Sequence, residues 1–285
     1  MARTDAPTFR PLTDAALAGA VALSTEAGWN QTADDWRLML GFGQGIGVAA
    51  PDGRLVATAL TLPFGGRFAW IAMVLVTADW RRRGLATDLL RRCMAQAGDA
   101  GLIAGLDATE AGREVYRPLG FNDIYSLSRW RAERPQARPS NDADVRPMTP
   151  ADLDAVAALD RAAFGADRRH LLAAFLKRAN GRAFVASRDG GIAGYVLTRD
   201  GRVADYLGPL VAENAAVAGT LLQQVLATTL RPALIDLADH HDGLRKLLEA
   251  AGFARERGYT RMLLGRTDPL DDPAQIFTIA GPEFG

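Results

Sequence analysis

Hydrophobic and polar positions divide the chain into segments that have the length of single helices and strands. Residues 68–76 and 102–106 are short apolar runs, and each predicts a buried β-strand. Residues 87–96 predict a helix between them, and a further helix up to about Val115 should precede a final strand over 125–131. This pattern predicts an α/β or α+β sandwich, in which helices cover both faces of a sheet of mixed strands.

The same order of elements occurs twice. Segment 9–17 predicts a short strand, a threonine cap and a helix, and it lines up with segment 145–153 at an offset of 136 residues. The hairpin turn Asp52-Gly53 and the sequence Leu119-Gly120-Phe121 have counterparts at offsets of 137 and 132 residues. Two copies of one fold are therefore predicted, and chance similarity of helix starts is the alternative. The predicted parts are a first domain (1–134), a polar linker that contains proline (135–143) and a second domain (144–285).

Composition fits this organisation and excludes several classes of protein. The 285 residues suit two domains, and 48% hydrophobic with 23% charged residues excludes a disordered or fibrous chain. Lysine and arginine together number 33, as do aspartate and glutamate, so a nucleic-acid partner is not expected. The single cysteine, Cys93, allows neither an internal disulfide nor a zinc site built on cysteines. We expect a soluble, cytoplasmic protein, because no apolar run is long enough to span a membrane and no signal peptide is seen.

The stretch that carries chemistry is a strand followed by a short basic loop and a helix. Arg81, Arg82 and Arg83 follow the apolar strand, and Gly84 stands directly before the helix. Backbone N–H groups at a helix start have no partner within the helix, and the helix dipole favours anions there. The segment therefore predicts a phosphate-binding loop. The alternative is a solvated run of arginines, against which Gly84 argues, since glycine is poor just inside a helix.

Two motifs in the first copy resemble those of one known superfamily. Arg81-x-x-Gly84-x-Ala86, between a strand and a helix, resembles the pyrophosphate-binding motif of the GNAT superfamily of N-acetyltransferases. Tyr116, followed by Gly120-Phe121, is similar to the tyrosine and Gly-Phe pair of that superfamily, in the same order and at a similar separation. The resemblance covers nearly all of residues 8–132. It implies a GNAT fold, in which helices flank a mixed, mostly antiparallel sheet, and acetyl-CoA as the acyl donor, with no metal.

The resemblance also implies roles for individual residues. Backbone amides from Arg82 to Thr87 would hold the coenzyme A pyrophosphate, and the strand at its end would pair with the pantetheine arm. Tyr116 would protonate the leaving thiolate after direct attack of an amine, without a covalent enzyme intermediate; its alternative is an amphipathic core tyrosine. The implied coenzyme-binding residues are Val74, Leu75, Val76, Arg81, Arg82, Arg83, Gly84, Leu85, Ala86 and Thr87.

The first copy departs from the superfamily pattern beside Tyr116. Thr109 stands where an asparagine is frequent, and Gly112 stands where an alanine is frequent, so these residues are expected to bind the pantetheine or substrate end differently. No general base is evident, because the first copy contains no histidine. Asp107 and Glu26 are the candidates, directly or through a water, although either could equally be a cap or a surface carboxylate. An amine of low pKa would need no base.

The segment after the first helix is the candidate acceptor pocket. Trp29, Asn30 and Trp36 suit an amine that carries an apolar part. Thr32 and Asp35 also fit a capping box, and Trp36 could equally be a core residue.

The second copy lacks the chemistry-bearing residues of the first. Its matching strand is 205–211, and the loop predicted after it, 212–220, is shorter by three residues and has no arginine. Glu213 would repel a pyrophosphate, and Leu248 stands where the first copy has Tyr116. We therefore predict a degenerate GNAT-like domain.

Two further segments of the second copy invite an interpretation. His240-His241-Asp242 predicts a helix start capped by Asp242, and not a metal site, since adjacent side chains make a poor pair of ligands. After an acidic turn, residues 276–279 predict an extra strand.

The sequence thus predicts a tandem GNAT N-acetyltransferase for a small-molecule or peptide amine. The first copy would bind acetyl-CoA and catalyse, while the second would support it, shape the acceptor site or mediate self-association into a homodimer. The alternative is an acetyl-CoA-binding sensor or partner module without catalysis, against which the presence of Tyr116 argues.

Overall fold

The structure, a computed structural model, describes residues 7–140, 142 and 144–285. Contacts divide the chain into two compact units, residues up to 106 and residues 107–285. This division falls ahead of the segment 135–143, which stays a prediction about where one sequence copy ends and the next begins.

The described residues of the first unit form a mostly antiparallel sheet and three α-helices. The strands follow the order β1-β2-β3-β4-β5, in which β4 and β5 run parallel and the other neighbours run antiparallel. The last two residues of β5 belong to the second unit. The bounds are β1 Thr8–Pro11, α1 Leu17–Glu26, α2 Ala33–Phe42, β2 Gln44–Ala49, β3 Leu55–Phe64, β4 Phe68–Val76, α3 Leu85–Asp99 and β5 Ile103–Ala108, with 3-10 turns at Asp14–Ala16 and Ala78–Trp80.

In the second unit, the described residues form a longer sheet and five α-helices. The strands follow the order β12-β6-β11-β13-β10-β9-β8-β7; β10 and β11 also pair in parallel, and the other pairings are antiparallel. The bounds are α4 Glu110–Tyr116, β6 Phe121–Ala132, β7 Val145–Pro147, α5 Leu153–Phe164, α6 Arg169–Arg178, β8 Phe184–Arg188, β9 Gly191–Arg199, β10 Asp205–Ala212, α7 Ala215–Ala227, β11 Ala233–Ala238, α8 Asp242–Ala250, β12 Ala254–Leu264 and β13 Ile276–Thr278, with 3-10 turns at Arg117–Leu119 and Pro150–Asp152.

Strand β6, the last strand of the first sequence copy, pairs with two strands of the second copy. It lies antiparallel between β11 and β12. Arg129 on β6 makes two hydrogen bonds, of 2.8 and 2.7 Å, to the fully buried carboxylate of Asp236 on β11. Trp130 and Ala132 pack into the hydrophobic core of the second unit. Removing β6 would therefore leave a buried carboxylate without its cation and open that core.

The predicted fold class is confirmed, as is most of the predicted pattern. The run 68–76 is β4, and both copies begin with a strand and a 3-10 turn, 136 residues apart. The extra strand predicted over 276–279 is β13. The prediction of a loop over 212–220 is wrong, because α7 already begins at Ala215. The first turns of α7 consist mainly of alanine and contain one glycine, so the regular spacing of large apolar residues that predicts a helix begins only later in the segment.

Candidate functional site

Strand β4 has a bulge at Met73, beyond the point where its pairing with β5 ends. Met73 has a left-handed φ of 52°, and its carbonyl accepts a 2.9 Å hydrogen bond from the buried hydroxyl of Thr58. The pairing of β4 with β3 shifts register at this point. Pairing with β5 stops at Trp70, so among the described residues no strand pairs with 71–76 on that side. Val74, Leu75 and Val76 therefore present one main-chain edge that is not paired with a strand among the described residues.

The start of α3 has no capping side chain. Gly84 is its N-cap residue, with a left-handed φ of 81°, and the first intrahelical bond runs from the Asp88 N–H to the Gly84 carbonyl over 3.0 Å. The N–H groups of Leu85, Ala86 and Thr87 consequently have no partner within the helix. A side chain at Gly84 would meet no atom within 4 Å, so the backbone conformation, and not space, requires the glycine.

Two of the three loop arginines shape the loop. The Nε of Arg81 donates to the Val76 carbonyl over 3.1 Å, which ties the loop to the end of β4. Arg83 donates to the Asp79 carbonyl over 2.9 Å and stacks on the Trp80 ring. Arg82 has a left-handed φ of 61°. All three arginines are exposed, so their charge lies beside the uncapped helix start and in reach of a dissolved anion.

Glu26, a predicted base, holds the end of β4. Its two carboxylate oxygens accept hydrogen bonds from the Thr77 hydroxyl, over 2.7 Å, and from the Ala78 N–H, over 2.8 Å. These hydrogen bonds lower the pKa of Glu26 below its ordinary value. A carboxylate held in this way is a weaker proton acceptor, and the arrangement favours its alternative as a cap. Sequence reasoning missed Thr77, although a threonine directly after a strand is a frequent capping residue.

The predicted acceptor segment divides into a core residue and a polar edge. Trp36 is fully buried and its indole N–H donates to Ser24 over 3.1 Å, which fits its alternative as a core residue. The capping box of Thr32 and Asp35 is present. Trp29 is half-buried and Asn30 is buried. The neighbouring Gln31, which the sequence did not single out, has a buried side-chain oxygen without a hydrogen-bond partner.

Asp107, the other predicted base, belongs to the second unit and forms a buried ion pair. Both of its oxygens accept hydrogen bonds from Arg261, at 3.0 and 2.9 Å, and its side chain is fully buried. Arg261 also donates to the Tyr125 hydroxyl over 2.8 Å and pairs with Asp271. With both oxygens occupied and no exposure, Asp107 is placed to organise the second unit and not to receive a substrate proton. This geometry argues against its predicted role as a base.

The two departures beside Tyr116 have local structural reasons. The Thr109 hydroxyl is the N-cap of α4 and accepts the Gly112 N–H over 3.2 Å. A Cβ at Gly112 would come within 3.0 Å of the Tyr116 ring, so glycine makes room for this ring. Tyr116 is half-buried, and its ring centroid lies 6.2 Å from that of Phe121.

Ion pairs hold α4 in place. Arg113 and Arg117 both bind the carboxylate of Asp123 on β6. The hydrogen bonds from Arg113, and then those from Arg117, lower the pKa of Asp123 to about 2. No sequence pattern predicts these ion pairs, because exposed arginines and aspartates are common on the surface of any protein.

The start of α7, which corresponds to the start of α3, is already capped. Only Glu213 and Asn214 separate it from β10, so the turn is shorter than predicted. The side-chain oxygen of Asn214 accepts the N–H groups of Ala216 and Val217, each over 3.1 Å. Leu248, at the position that matches Tyr116, is fully buried in the core.

The histidine pair of the second unit is engaged by carbonyl groups. Nε2 of His240 and Nε2 of His241 lie 2.7 and 3.0 Å from the Pro273 carbonyl oxygen. His241 is the N-cap residue of α8, and Asp242 is its first residue, so the predicted cap was misplaced by one position. In the part of the chain that the structure describes, no three histidine, cysteine or carboxylate side chains are grouped to hold a metal. Among the same residues, no helix is both long and apolar enough to span a membrane.

Comparison with known proteins finds the same family in both halves. The sequence model of the acetyltransferase (GNAT) family matches residues 18–121, and that of an acetyltransferase (GNAT) domain matches residues 156–278.

Two curated proteins and a solved structure are similar over most of the chain. YitH of Bacillus subtilis (strain 168), an uncharacterized N-acetyltransferase, is 26% identical over 84% of this chain and 85% of its own length. The holothin acyltransferase of Pseudoalteromonas sp. (strain SANK 73390) is 27% identical over 81% of this chain and 78% of its own. The crystal structure of a candidate acetyltransferase from Pyrococcus horikoshii has 22% identity and a TM-score of 0.81, and the match covers 100% of this chain and 98% of that one.

Proposed function

This chain belongs to the GNAT family in both of its halves and is an acyl-CoA-dependent N-acyltransferase, and from that premise we propose that its first copy transfers an acetyl group from acetyl-CoA to a primary amine. The observation that carries the proposal lies within the first unit. The start of a 15-residue helix, without a capping side chain, follows a strand with one unpaired edge after the short loop that carries the arginines.

The residues of the first unit fit the parts of acetyl-CoA. The N–H groups of Leu85, Ala86 and Thr87, together with the helix dipole, suit a pyrophosphate. The exposed positive charges of the loop arginines also attract the pyrophosphate, and dissolved salt weakens this attraction. Main-chain groups of Val74 to Val76 suit the two amides of a pantetheine arm, in the manner of an added strand.

The proposed reaction needs one proton donor from the protein. The amine nitrogen attacks the carbonyl carbon of the thioester. A C–N bond forms at this carbon, and its C–S bond breaks to release the thiolate of coenzyme A. Tyr116 gives its phenolic proton to the departing thiolate, an assignment that rests on the sequence resemblance. The attacking amine loses one proton to water. Because the oxygens of Glu26 and Asp107 are already hydrogen-bonded, we assign neither as the base, and the amine reacts in its neutral form.

The proposed acceptor is a small-molecule amine with an apolar part. Trp29, Asn30 and Gln31 offer an aromatic surface and amide groups side by side on the segment between α1 and α2. The relative named for acyl transfer to holothin supports a small molecule over a protein as acceptor.

Thermal unfolding with acetyl-CoA tests the proposed donor. Ligand at about 100 times its Kd should stabilise the wild-type chain by about 2.7 kcal/mol. Gly84→Glu places a negative charge at the proposed pyrophosphate site and should abolish the shift. Gly101→Glu is the matched control, since Gly101, just beyond the far end of the same helix, also has a left-handed φ, of 68°, and a side chain there would also meet no atom within 4 Å. An equal shift in all three proteins would contradict the proposed site.

Thiol release from acetyl-CoA across a panel of amines tests the reaction. An amine that accelerates release, more strongly as the pH rises toward the pKa of that amine, is expected. Binding of acetyl-CoA without acceleration by any amine would instead establish the sensor alternative.

A further inference from the structure

Strand β13 lies between two strands that would otherwise diverge. Parallel pairing of β10 with β11 covers only Asp205 and Tyr206 on β10. Beyond that point β13 enters and pairs antiparallel with both, through Leu210 and Val211 on β10 and Leu237 on β11. The gap between β10 and β11 is thus filled by the chain's own later segment.

The first copy has the same divergence at the same place. Parallel pairing of β4 with β5 stops at Trp70 on β4. The irregular residues that follow, Met73 in β4 and Gly208 in β10, are 135 positions apart, which is the offset that relates Val76 to Val211. Both copies therefore build a cleft between two parallel strands, and it is in the first of these that we propose the pantetheine arm.

The segment that contains β13 binds its cleft through main-chain groups, as a pantetheine arm would. The Ala212 N–H donates to the Gln275 carbonyl over 3.1 Å, and the Ile279 N–H donates to the Asp236 carbonyl over 3.2 Å. Phe277, between them, is 1% exposed and belongs to the core of the unit.

Buried arginines anchor the chain after β13. Arg199 donates to the Ala280 carbonyl over 2.6 Å and to Glu283 over 2.6 Å. Arg168 donates to the Gly285 carbonyl over 2.9 Å. Both arginines are buried, so displacing this segment would take two hydrogen-bond acceptors from Arg199 and one from Arg168, which keeps its ion pair with Asp160.

We propose that residues 270–285 are a built-in occupant of the second copy's acyl-CoA cleft. In this cleft β13 stands in place of the pantetheine arm, and the side-chain oxygen of Asn214 stands in place of a pyrophosphate oxygen at the helix start. The second copy consequently has no open acyl-CoA cleft, and each chain binds a single acyl-CoA molecule. Only this count rests on the proposed function of the first copy.

Hydrogen exchange on the full chain tests the occupancy without any ligand. Peptides covering 276–280 should exchange as slowly as those of β10, at least about 1,000-fold slower than unstructured peptides. Exchange at the rate of an exposed loop would overturn the proposal.

Gly208→Ala tests the fit of this segment. A Cβ at Gly208 would lie 2.3 Å from the Ile279 carbonyl oxygen, so the variant should lose protection over 276–280 by at least about tenfold. The matched control is Gly243→Ala, because a Cβ at Gly243 meets no atom within 4 Å. Equal protection in both variants would overturn the proposal.

A calorimetric titration with acetyl-CoA tests the count. One equivalent per wild-type chain is expected, and two equivalents would overturn the proposal. If no acetyl-CoA bound, the function proposed for the first copy would fail, while the exchange measurements would still decide whether the second cleft is occupied.

Discussion

The starts of α3 and α7 occupy the same place in the two copies and differ in what satisfies their N–H groups. At α7 the side chain of Asn214 does so, whereas at α3 the N-cap is Gly84 and no side chain takes part. A side-chain cap contributes about 1 kcal/mol to stability. The start of α3 lacks this contribution, and an anionic ligand can supply the hydrogen-bond acceptor that a capping side chain would otherwise provide.

The clefts beside these helices differ in the same way. Both copies interrupt a strand, at Met73 and at Gly208, so the bulge itself does not distinguish them. The second cleft is filled by β13, and the edge of β4 in the first stays open. The same scaffold can therefore present an open cleft or a filled core, depending on whether a later segment of the chain occupies the space between the two diverging strands.

The largest expected effect is on the filled cleft. Phe277→Ala should lower the free energy of unfolding by about 3–5 kcal/mol, because it leaves a cavity in the core of the second unit. The matched change on the open strand, Val74→Ala, should cost less than about 1.5 kcal/mol, since Val74 is only half-buried. Urea unfolding of both variants measures the difference. Equal losses would mean that the two clefts are filled to the same degree.

The next effect concerns the residue that the second copy lacks. Tyr116→Phe removes the proposed proton donor and should lower kcat by about 100-fold or more, with the acetyl-CoA affinity unchanged. The change Leu248→Tyr, at the matching position of the second copy, should add no activity. Unchanged kcat in Tyr116→Phe would remove the assignment of this residue as the acid.

A smaller effect is expected at the capped helix start. Asn214→Ala leaves the N–H groups of Ala216 and Val217 without their acceptor and should cost about 1 kcal/mol of stability. Thermal melts with and without acetyl-CoA should show the same loss, because this helix start is not expected to bind the ligand. A variant whose melting temperature becomes more sensitive to acetyl-CoA than that of the wild type would show that Asn214 masks a second site.

Local sequence patterns predicted the elements of the proposed site, whereas contacts between residues far apart in the sequence could not be predicted. The continuous apolar run of β4 and the glycine before α3 are visible in the sequence, so the strand, loop and helix of the proposed site could be predicted. The ion pair of Arg261 with Asp107 joins residues 154 positions apart, and no local pattern announces it. Likewise, the apolar run at 276–279 predicts a strand but not the gap that it fills.

The smallest effect is a pH dependence confined to α4. This helix has no buried residue and is held by the pairs to Asp123, whereas α8 buries Leu244 and Leu248. The pKa of Asp123 is lowered from 3.8 to about 2, so its contribution is full above the ordinary pKa and is lost as the pH falls toward 2.

Asp123→Asn removes this contribution. Its cost should be below about 1 kcal/mol at pH 7, because the pair is partly exposed. The difference from the wild type should shrink between about pH 4 and pH 2. Hydrogen exchange of α4 peptides in both proteins, at pH 7 and at pH 3, measures this difference in stability. A difference that grows on acidification would contradict a stabilising role for the ionised Asp123 carboxylate.

The central claim is that acetyl-CoA binds at the start of α3 and not at the start of α7. Calorimetric titration of acetyl-CoA into Gly84→Glu and Ala215→Glu tests it most directly, since each variant adds one negative charge at the corresponding exposed helix start. We expect Gly84→Glu to weaken binding by at least about tenfold, through charge repulsion and because glutamate does not readily adopt the left-handed φ of this position, while Ala215→Glu binds as the wild type does. Wild-type affinity in Gly84→Glu, or an equal loss in both variants, would contradict it.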